Sequence, residues 1–161
     1  ANHQSFLDVF AVYGWLPNNF KWLMKKEIRR VPFVGTACAV AGHIFVDRSN
    51  PRAALQSMEK VKKELVDGIS TVIFPEGTRT KTGEIGRFKQ GAFKIAMDME
   101  LPVVPITLNG FYKAMPSGQP FANPFSHLSL HIGKPIDISQ FTDINDAMLH
   151  VREKVEHGIV K

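Results

Sequence analysis

IFVDRSNPRAALQSMEKVKKELVDGISTVIF (residues 44–74) determines the fold class of this 161-residue chain. Ile44–Val46 is a short apolar strand, and Ser49 or Asn50 can cap a helix with Pro51 at its first position. Apolar residues then recur at helical spacing until Gly68 ends the helix; they are Ala54, Leu55, Met58, Val61 and Leu65. The next strand, residues 70–74, shows little alternation, as expected when both faces are buried. The stretch predicts a β–α–β unit.

The chain continues this pattern in both directions. A helix over residues 89–99 and the strand VVPIT (103–107) predict a second β–α–β unit, so we expect adjacent parallel strands with right-handed crossovers. Further elements are predicted as helices at 6–14, 33–41 and 145–157, and as strands at 20–24 and 127–133. With no repeat or linker, we expect one domain, 1–161. The fold class is α/β, with a mixed but largely parallel sheet flanked by helices.

Composition limits the classes of function. Apolar residues make up 44% and charged residues 22%, as in soluble globular proteins, and no apolar run is long enough to span a membrane. Twenty Lys and Arg against fifteen Asp and Glu attract anions: nucleic acid, phosphorylated metabolites or an acidic membrane surface. The cluster KWLMKKEIRR (21–30) is either a solvated surface or a lipid-facing basic patch. A single cysteine, Cys38, excludes an internal disulfide and fits a reducing compartment.

Polar residues follow two of the predicted strands. Arg48 leaves the strand that ends at Val46, and PEGTR (75–79) leaves the strand that ends at Phe74. Ligands of open parallel sheets collect beyond the carboxyl ends of the strands, so we expect Arg48 and Arg79 at one edge. The planar guanidinium group of arginine can donate hydrogen bonds to two phosphate oxygens at once, and Gly77 permits a sharp turn. The alternative is that Glu76 and Arg79 only pair across a turn.

His3 and Asp8 form the second candidate site. If Ser5 caps the first helix, His3 precedes that helix and folds back towards the carboxylate of Asp8 in its first turn. An Asp that accepts one ring N–H fixes the imidazole tautomer and leaves the other nitrogen free as a base. The alternative is that Asp8 only serves the helix end and His3 is an exposed loop residue.

Other catalytic motifs are absent from the sequence. It contains no G-x-S-x-G, P-loop, dinucleotide glycine fingerprint or zinc-type spacing. His127 and His131 share one face of a predicted strand and could ligate a metal, but a polar sheet face is the favoured interpretation. We expect no metal and no cofactor.

Four blocks resemble the glycerolipid acyltransferases related to lysophosphatidic acid acyltransferase. NHQSFLD (2–8) resembles the N-H-x4-D motif, GHIFVDR (42–48) the second block, FPEGTR (74–79) the third and VVPITL (103–108) the fourth. They occur in family order and cover about two thirds of the chain. The resemblance implies the glycerol-3-phosphate acyltransferase-like fold. That family usually carries a hydrophobic segment before its first block. We therefore expect a fragment whose membrane anchor lies in a missing N-terminal segment, at the cytoplasmic side of a membrane.

The resemblance also implies an activity. An acyl group passes from acyl-CoA or acyl-carrier protein, as co-substrate, to the hydroxyl of lysophosphatidic acid, which gives phosphatidic acid in phospholipid biosynthesis. His3 would be the base and Asp8 its partner, while Arg48 and Arg79 would clamp the acceptor phosphate in a pocket shaped by Glu76, Gly77 and Thr78. The implied partners are the acyl thioester, the lysophospholipid and a membrane surface, with no nucleic acid. The alternatives are another lysophospholipid or glycerol 3-phosphate as acceptor, or a lipid-binding module without catalysis.

Overall fold

The computed structural model describes residues 1–17, 19–47, 51–65 and 68–160. In chain order its elements are α1 (Leu7–Trp15), β1 (Phe20–Lys25), α2 (Val34–Val40), β2 (Ile44–Val46), α3 (Pro51–Glu64), β3 (Ser70–Val72), α4 (Gln90–Asp98), β4 (Ile106–Asn109), α5 (Phe111–Ala114), β5 (Ser129–Ile132) and α6 (Ile144–His157), with 3₁₀ helices at Lys26–Arg30 and Ile138–Gln140. They form two compact units. The first combines Ala1–Leu16 with Phe74–Lys161, and the second is Pro17–Ile73.

The second unit contains a parallel sheet in the order β2-β1-β3. The central strand β1 has six residues, and its two halves have different partners: Phe20 to Trp22 pair with β3, and Leu23 to Lys25 pair with β2. Trp22 and Leu23 are buried at the junction of the two halves. The prediction that β2 and β3 are adjacent is therefore wrong. A strand inside a sheet has two backbone edges, and β1 pairs with β2 along one edge and with β3 along the other.

The parallel direction of these strands is nevertheless as predicted. β2 and β3 both run parallel to β1, so their carboxyl ends lie at the same end of the sheet. Arg48, which follows β2 in the sequence, lies outside the described residues. Its predicted place at this edge stays a prediction.

The first unit places α4 and α6 around its hydrophobic core. The buried members of this core are Ile85, Phe88, Phe93, Ala96, Ile136, Ile138, Ala147, Val151 and Val155. β4 pairs with β5 in an antiparallel ladder, with Leu108 opposite Leu130. The predicted parallel pairing of β4 with the strand before α4 is not found among the described residues, so the expectation of a second pair of adjacent parallel strands is wrong. Parallel strands, antiparallel strands and helices all occur in the chain, and the α/β class is confirmed.

The strand predicted at 103–107 is displaced along the sequence. β4 begins at Ile106, and Val103 makes only an isolated antiparallel bridge with Ile136. Pro105 lies between them and has no N–H to donate, which interrupts a continuous ladder. The other helices and strands lie within a few residues of their predicted bounds. None of the helices in the described part of the chain has the length and hydropathy needed to cross a bilayer.

Candidate active site

His3 and Asp8 lie in contact in the first unit. The His3 Nδ1 atom lies 2.8 Å from Asp8 Oδ2, and the Asp8 side chain is fully buried while that of His3 is 18% exposed. Helix α1 begins at Leu7, one residue later than predicted, with Phe6 rather than Ser5 at its N-cap position. His3 still precedes the helix and Asp8 still lies in its first turn. The predicted return of His3 towards the carboxylate is confirmed.

Asp8 also binds the main chain that carries His3. The N–H groups of Gln4 and Ser5 donate to the same Oδ2 atom, at 2.6 and 2.8 Å. An oxygen that accepts two main-chain N–H groups fits an ionised carboxylate, and we therefore assign Nδ1 of His3 as the third donor. This tautomer leaves Nε2 of His3 with its lone pair available. Asp8 thus fixes both the ring and the backbone next to it.

The loop after Phe74 holds His3 from the other side. The main-chain N–H of His3 donates to Glu76 Oε2 at 2.7 Å, and its carbonyl accepts from the N–H of Thr80 at 2.9 Å. The Phe74 ring stacks on the imidazole, with centroids 3.9 Å apart and planes inclined by 6°. Two main-chain hydrogen bonds and the stacked Phe74 ring therefore fix the position of His3. The stacking partner was missed from the sequence, because nothing in the pattern distinguished Phe74 from a buried strand residue.

Glu76 is a buried carboxylate bound by two main-chain donors. Its second oxygen, Oε1, accepts the N–H of Gly86 at 3.0 Å, so the side chain joins His3 to the loop before α4. Burial raises the pKa of the Glu76 carboxyl above its ordinary value of 4.5, and the two main-chain hydrogen bonds oppose this shift. These contacts make Glu76 a positioning residue for His3. The alternative of a Glu76–Arg79 pair does not occur among the described residues.

Polar side chains next to His3 anchor the first motif to the rest of the unit. The Asn2 amide is fully buried and makes two hydrogen bonds with the main chain of Leu108 in β4, at 2.7 and 3.0 Å. Ser5 Oγ donates to the carbonyl of Met115 at 2.7 Å. Sequence reasoning missed both contacts, although a buried amide that satisfies a strand edge follows the usual rule for buried polar groups. His3 is consequently carried by a segment that is anchored on either side of it.

Gly77, Thr78 and Arg79 form the part of the loop between the two anchors on His3. Gly77 has a positive φ of 73° and its N–H donates to the carbonyl of Phe74, which closes the turn. Thr78 is exposed and Arg79 is half-buried, and no hydrogen bond or ion pair engages the Arg79 guanidinium within the described chain. The structure brings these three residues next to His3. Arg48 cannot be placed with them, because it lies outside the described residues.

The positions of His127 and His131 bear on the alternative of a metal site. The described residues contain no group of three or more His, Cys, Asp or Glu side chains that could hold a metal ion. His131 belongs to β5, whereas His127 precedes that strand. The groups that the described site offers for chemistry are the imidazole of His3, the two carboxylates and the neighbouring arginine.

The chain belongs to the acyltransferase family, whose model matches residues 1–109. The matched region includes the His3–Asp8 pair, the loop that contacts His3 and β4. It covers the four blocks from which the resemblance was inferred.

The chain is similar to several curated relatives and to one solved structure. It is 36% identical over 157 residues to the chloroplastic 1-acyl-sn-glycerol-3-phosphate acyltransferase of Arabidopsis thaliana, an alignment that covers 97% of this chain and 44% of that protein. It is 40% identical over 108 residues to the enzyme of that name from Helicobacter pylori, covering 66% of this chain and 46% of the relative. The crystal structure of the 1-acyl-sn-glycerophosphate acyltransferase PlsC from Thermotoga maritima superimposes with a TM-score of 0.76 at 28% identity, over 98% of this chain and 62% of that one. The chain thus spans about half the length of these relatives.

Proposed function

We propose that the protein transfers a fatty acyl group from an acyl thioester to the free hydroxyl of lysophosphatidic acid, which gives phosphatidic acid. The observation that carries this proposal is the fixed imidazole of His3, whose Nδ1 is held by Asp8 and whose Nε2 is not engaged within the described chain. A lipid-binding module needs no such base. The acceptor is suggested by the names of the relatives, which are 1-acyl-sn-glycerol-3-phosphate acyltransferases.

The first step is removal of a proton from the acceptor. The hydroxyl proton passes to Nε2 of His3, and the oxygen forms a bond with the carbonyl carbon of the thioester. His3 becomes an imidazolium in this step, and the buried Asp8 carboxylate at 2.8 Å stabilises the new positive charge. Because the Phe74 ring fixes the plane of the imidazole, Nε2 keeps one direction of approach.

The second step releases the thiol. The tetrahedral intermediate collapses, the carbon–sulfur bond breaks, and the thiolate takes the proton from Nε2 of His3. A thiol has a pKa of about 8.5, so a thiolate leaves far more readily than an alkoxide. One base therefore suffices, and no cofactor or covalent enzyme intermediate is needed. Both acyl-CoA and acyl-carrier protein provide such a thioester.

The acceptor phosphate is assigned to the loop after Phe74. Arg79 provides two parallel donors for phosphate oxygens, and the main-chain N–H groups of Thr78 and Arg79 donate to no acceptor in the described chain. Arg48 is the second proposed phosphate ligand, on the basis of the sequence alone. With the phosphate held here, the hydroxyl of the glycerol backbone lies close to His3, since Glu76 and Thr80 fix the loop to that residue.

A membrane surface is the proposed location, at its cytoplasmic side. Phe6, Phe10 and Tyr13 are each at least half exposed and recur at helical spacing, so α1 and the residue before it present an aromatic face. Basic residues at 21–30 add attraction for anionic lipids. A lysophospholipid acceptor resides in such a surface, and the single cysteine fits a reducing compartment.

The proposal is tested by an acyl-transfer assay of the full-length protein against a panel of acceptors. The panel contains lysophosphatidic acid, other lysophospholipids and glycerol 3-phosphate, with thiol release and mass spectrometry of the product as readouts. We expect lysophosphatidic acid to have the highest kcat/KM. A higher value for another acceptor would reassign the substrate, and no transfer to any of them would favour the lipid-binding module.

A further inference from the structure

Lys89 lies against the loop that carries Arg79. The main-chain N–H of Lys89 donates to the carbonyl of Pro75 at 2.9 Å, and the N–H of Gly86 donates to Glu76 at 3.0 Å. Residues 86–89 therefore run beside the start of the loop. Lys89 is not distinguished by the sequence, because it is one of twenty Lys and Arg residues and belongs to no charge cluster.

The Lys89 side chain extends across Gly77. A Cβ atom added to Gly77 would lie 2.8 Å from Nζ of Lys89 and 3.3 Å from its Cε. The absence of a side chain at Gly77 thus lets the ammonium group approach the main chain of the loop. Gly77 is required here both for its φ of 73° and for this close approach.

The ammonium group has no anionic partner within the described residues. The ion pairs found there involve other basic residues, such as Lys94 with Asp98 at 3.8 Å, and none involves Lys89. The N–H groups of Thr78 and Arg79 likewise donate to no acceptor in the described chain. One exposed turn therefore combines two available main-chain donors, a guanidinium and an ammonium. Consecutive N–H groups next to a left-handed glycine are a known geometry for binding anions.

We propose that Lys89 is a phosphate ligand of the acceptor site, where it acts with Arg79 on the phosphomonoester of the lysolipid. This inference rests on the proposed function, because it names a further residue of the same site. Two cations fit a phosphomonoester better than one, since this group carries close to two negative charges at neutral pH. Arginine fixes two oxygens by its planar fork, and lysine adds a point charge to the third.

The first test measures the binding of inorganic phosphate to the full-length protein. The readout is the rise in the thermal unfolding temperature as phosphate is added. Lys89→Met retains most of the apolar stem of the side chain and removes the charge. Lys94→Met is the matched control, because Lys94 is an exposed lysine of α4 whose partner Asp98 lies on the same helix. We expect phosphate to stabilise the wild type and the control, with a roughly tenfold to hundredfold weaker apparent affinity in Lys89→Met. Equal affinity in all three proteins, or no stabilisation of the wild type, would overturn the proposal.

The second test separates the acceptor from the donor, which in acyl-CoA and acyl-carrier protein also carries phosphate. With lysophosphatidic acid varied, Lys89→Met should lose about tenfold or more in kcat/KM, and Lys89→Arg should recover part of the loss. With the thioester varied, KM should change by less than about threefold. A loss confined to the donor would move Lys89 to the thioester site and contradict the assignment. Because phosphate binding is measured without turnover, the result for Lys89 remains distinct from a failure of the proposed acyl transfer.

Discussion

Replacing Asp8 by asparagine separates the role of its charge from the role of its shape. Oδ2 of Asp8 accepts three N–H groups, from the His3 ring and the main chain of Gln4 and Ser5. Oδ1 is buried with no hydrogen-bond partner in the described chain. The asparagine must therefore direct its single carbonyl oxygen towards the three donors and bury its NH2 group without an acceptor.

The loss of stability follows from these contacts. A hydrogen bond to a charged group contributes about 1.5–3 kcal/mol, against about 0.5–1.5 kcal/mol for a neutral one. Weakening three such bonds is offset by the removal of a buried charge, whose desolvation opposes folding. We expect the free energy of unfolding to fall by about 1–3 kcal/mol in Asp8→Asn, which leaves the protein folded at room temperature.

The loss of turnover should be larger in relative terms. An imidazolium and a carboxylate about 4 Å apart attract each other by up to about 4 kcal/mol at an effective dielectric constant near 20. The asparagine side chain retains the hydrogen bond to the His3 ring but not this attraction. A reduction of about 1.4–4 kcal/mol in stabilisation of the transition state corresponds to roughly a tenfold to thousandfold decrease in kcat.

The assay combines urea unfolding with the steady-state rate of thiol release at saturating substrates. Asp143→Asn is the control, because Asp143 also accepts a main-chain N–H at a helix start, that of Asn145 at 2.6 Å, but belongs to no part of the site. The control should lose some stability and keep its kcat within about twofold. If Asp8→Asn behaves like this control, Asp8 serves only the helix and the mechanism is refuted.

Three further predictions concern other residues of the chain. Glu76→Gln should lower kcat by about tenfold with little change in KM for the thioester. The glutamine has one acceptor oxygen, so either His3 N–H or Gly86 N–H loses its acceptor and His3 shifts. An unchanged kcat would show that Glu76 does not position His3. Burial, aided by the charge of Lys21, lowers the pKa of the His43 imidazole from 6.5, and its Nδ1 accepts the N–H of Trp22. The unfolded chain therefore binds more protons than the folded one, so the free energy of unfolding falls as the pH drops below about 6.5. The free energy of unfolding measured from about pH 7.5 to about pH 5.5 should fall less steeply in His43→Gln, and parallel curves would contradict this. Arg79→Ala and Arg48→Ala should each reduce kcat/KM for the acceptor by about one or two powers of ten, with KM for the thioester nearly constant; equal losses for both substrates would mean that the clamp is misassigned.

The sequence predicted the local elements better than their arrangement. The β–α–β pattern of residues 44–74 was correct because capping residues, apolar periodicity and a terminating glycine agree within one stretch. The order of the sheet was not predictable in the same way. Insertion of β1 between β2 and β3 depends on which backbone edges pair in three dimensions, and the apolar pattern of each strand is the same in either order.

In the candidate site, too, local contacts could be predicted from the sequence and long-range contacts could not. The contact between His3 and Asp8 is local, five residues apart, and the helix start was sufficient to predict it. The contacts of His3 with Glu76, Phe74 and Thr80 join residues that are about seventy or more positions apart. Neither spacing nor charge indicates that the Glu76 carboxylate binds a main-chain N–H of the first motif.

The general-base role of His3 is the central claim, and His3→Ala tests it most directly. The main-chain bonds of His3 to Glu76 and Thr80 do not depend on the side chain, so this variant should keep its fold and its circular dichroism spectrum. His127→Ala, which removes an exposed histidine of the same unit, is the control. Transfer to lysophosphatidic acid, measured as product by mass spectrometry, should fall by roughly 10²–10⁴-fold in His3→Ala and remain unchanged in the control. Transfer within about threefold of the wild type by a correctly folded His3→Ala protein would contradict the assignment.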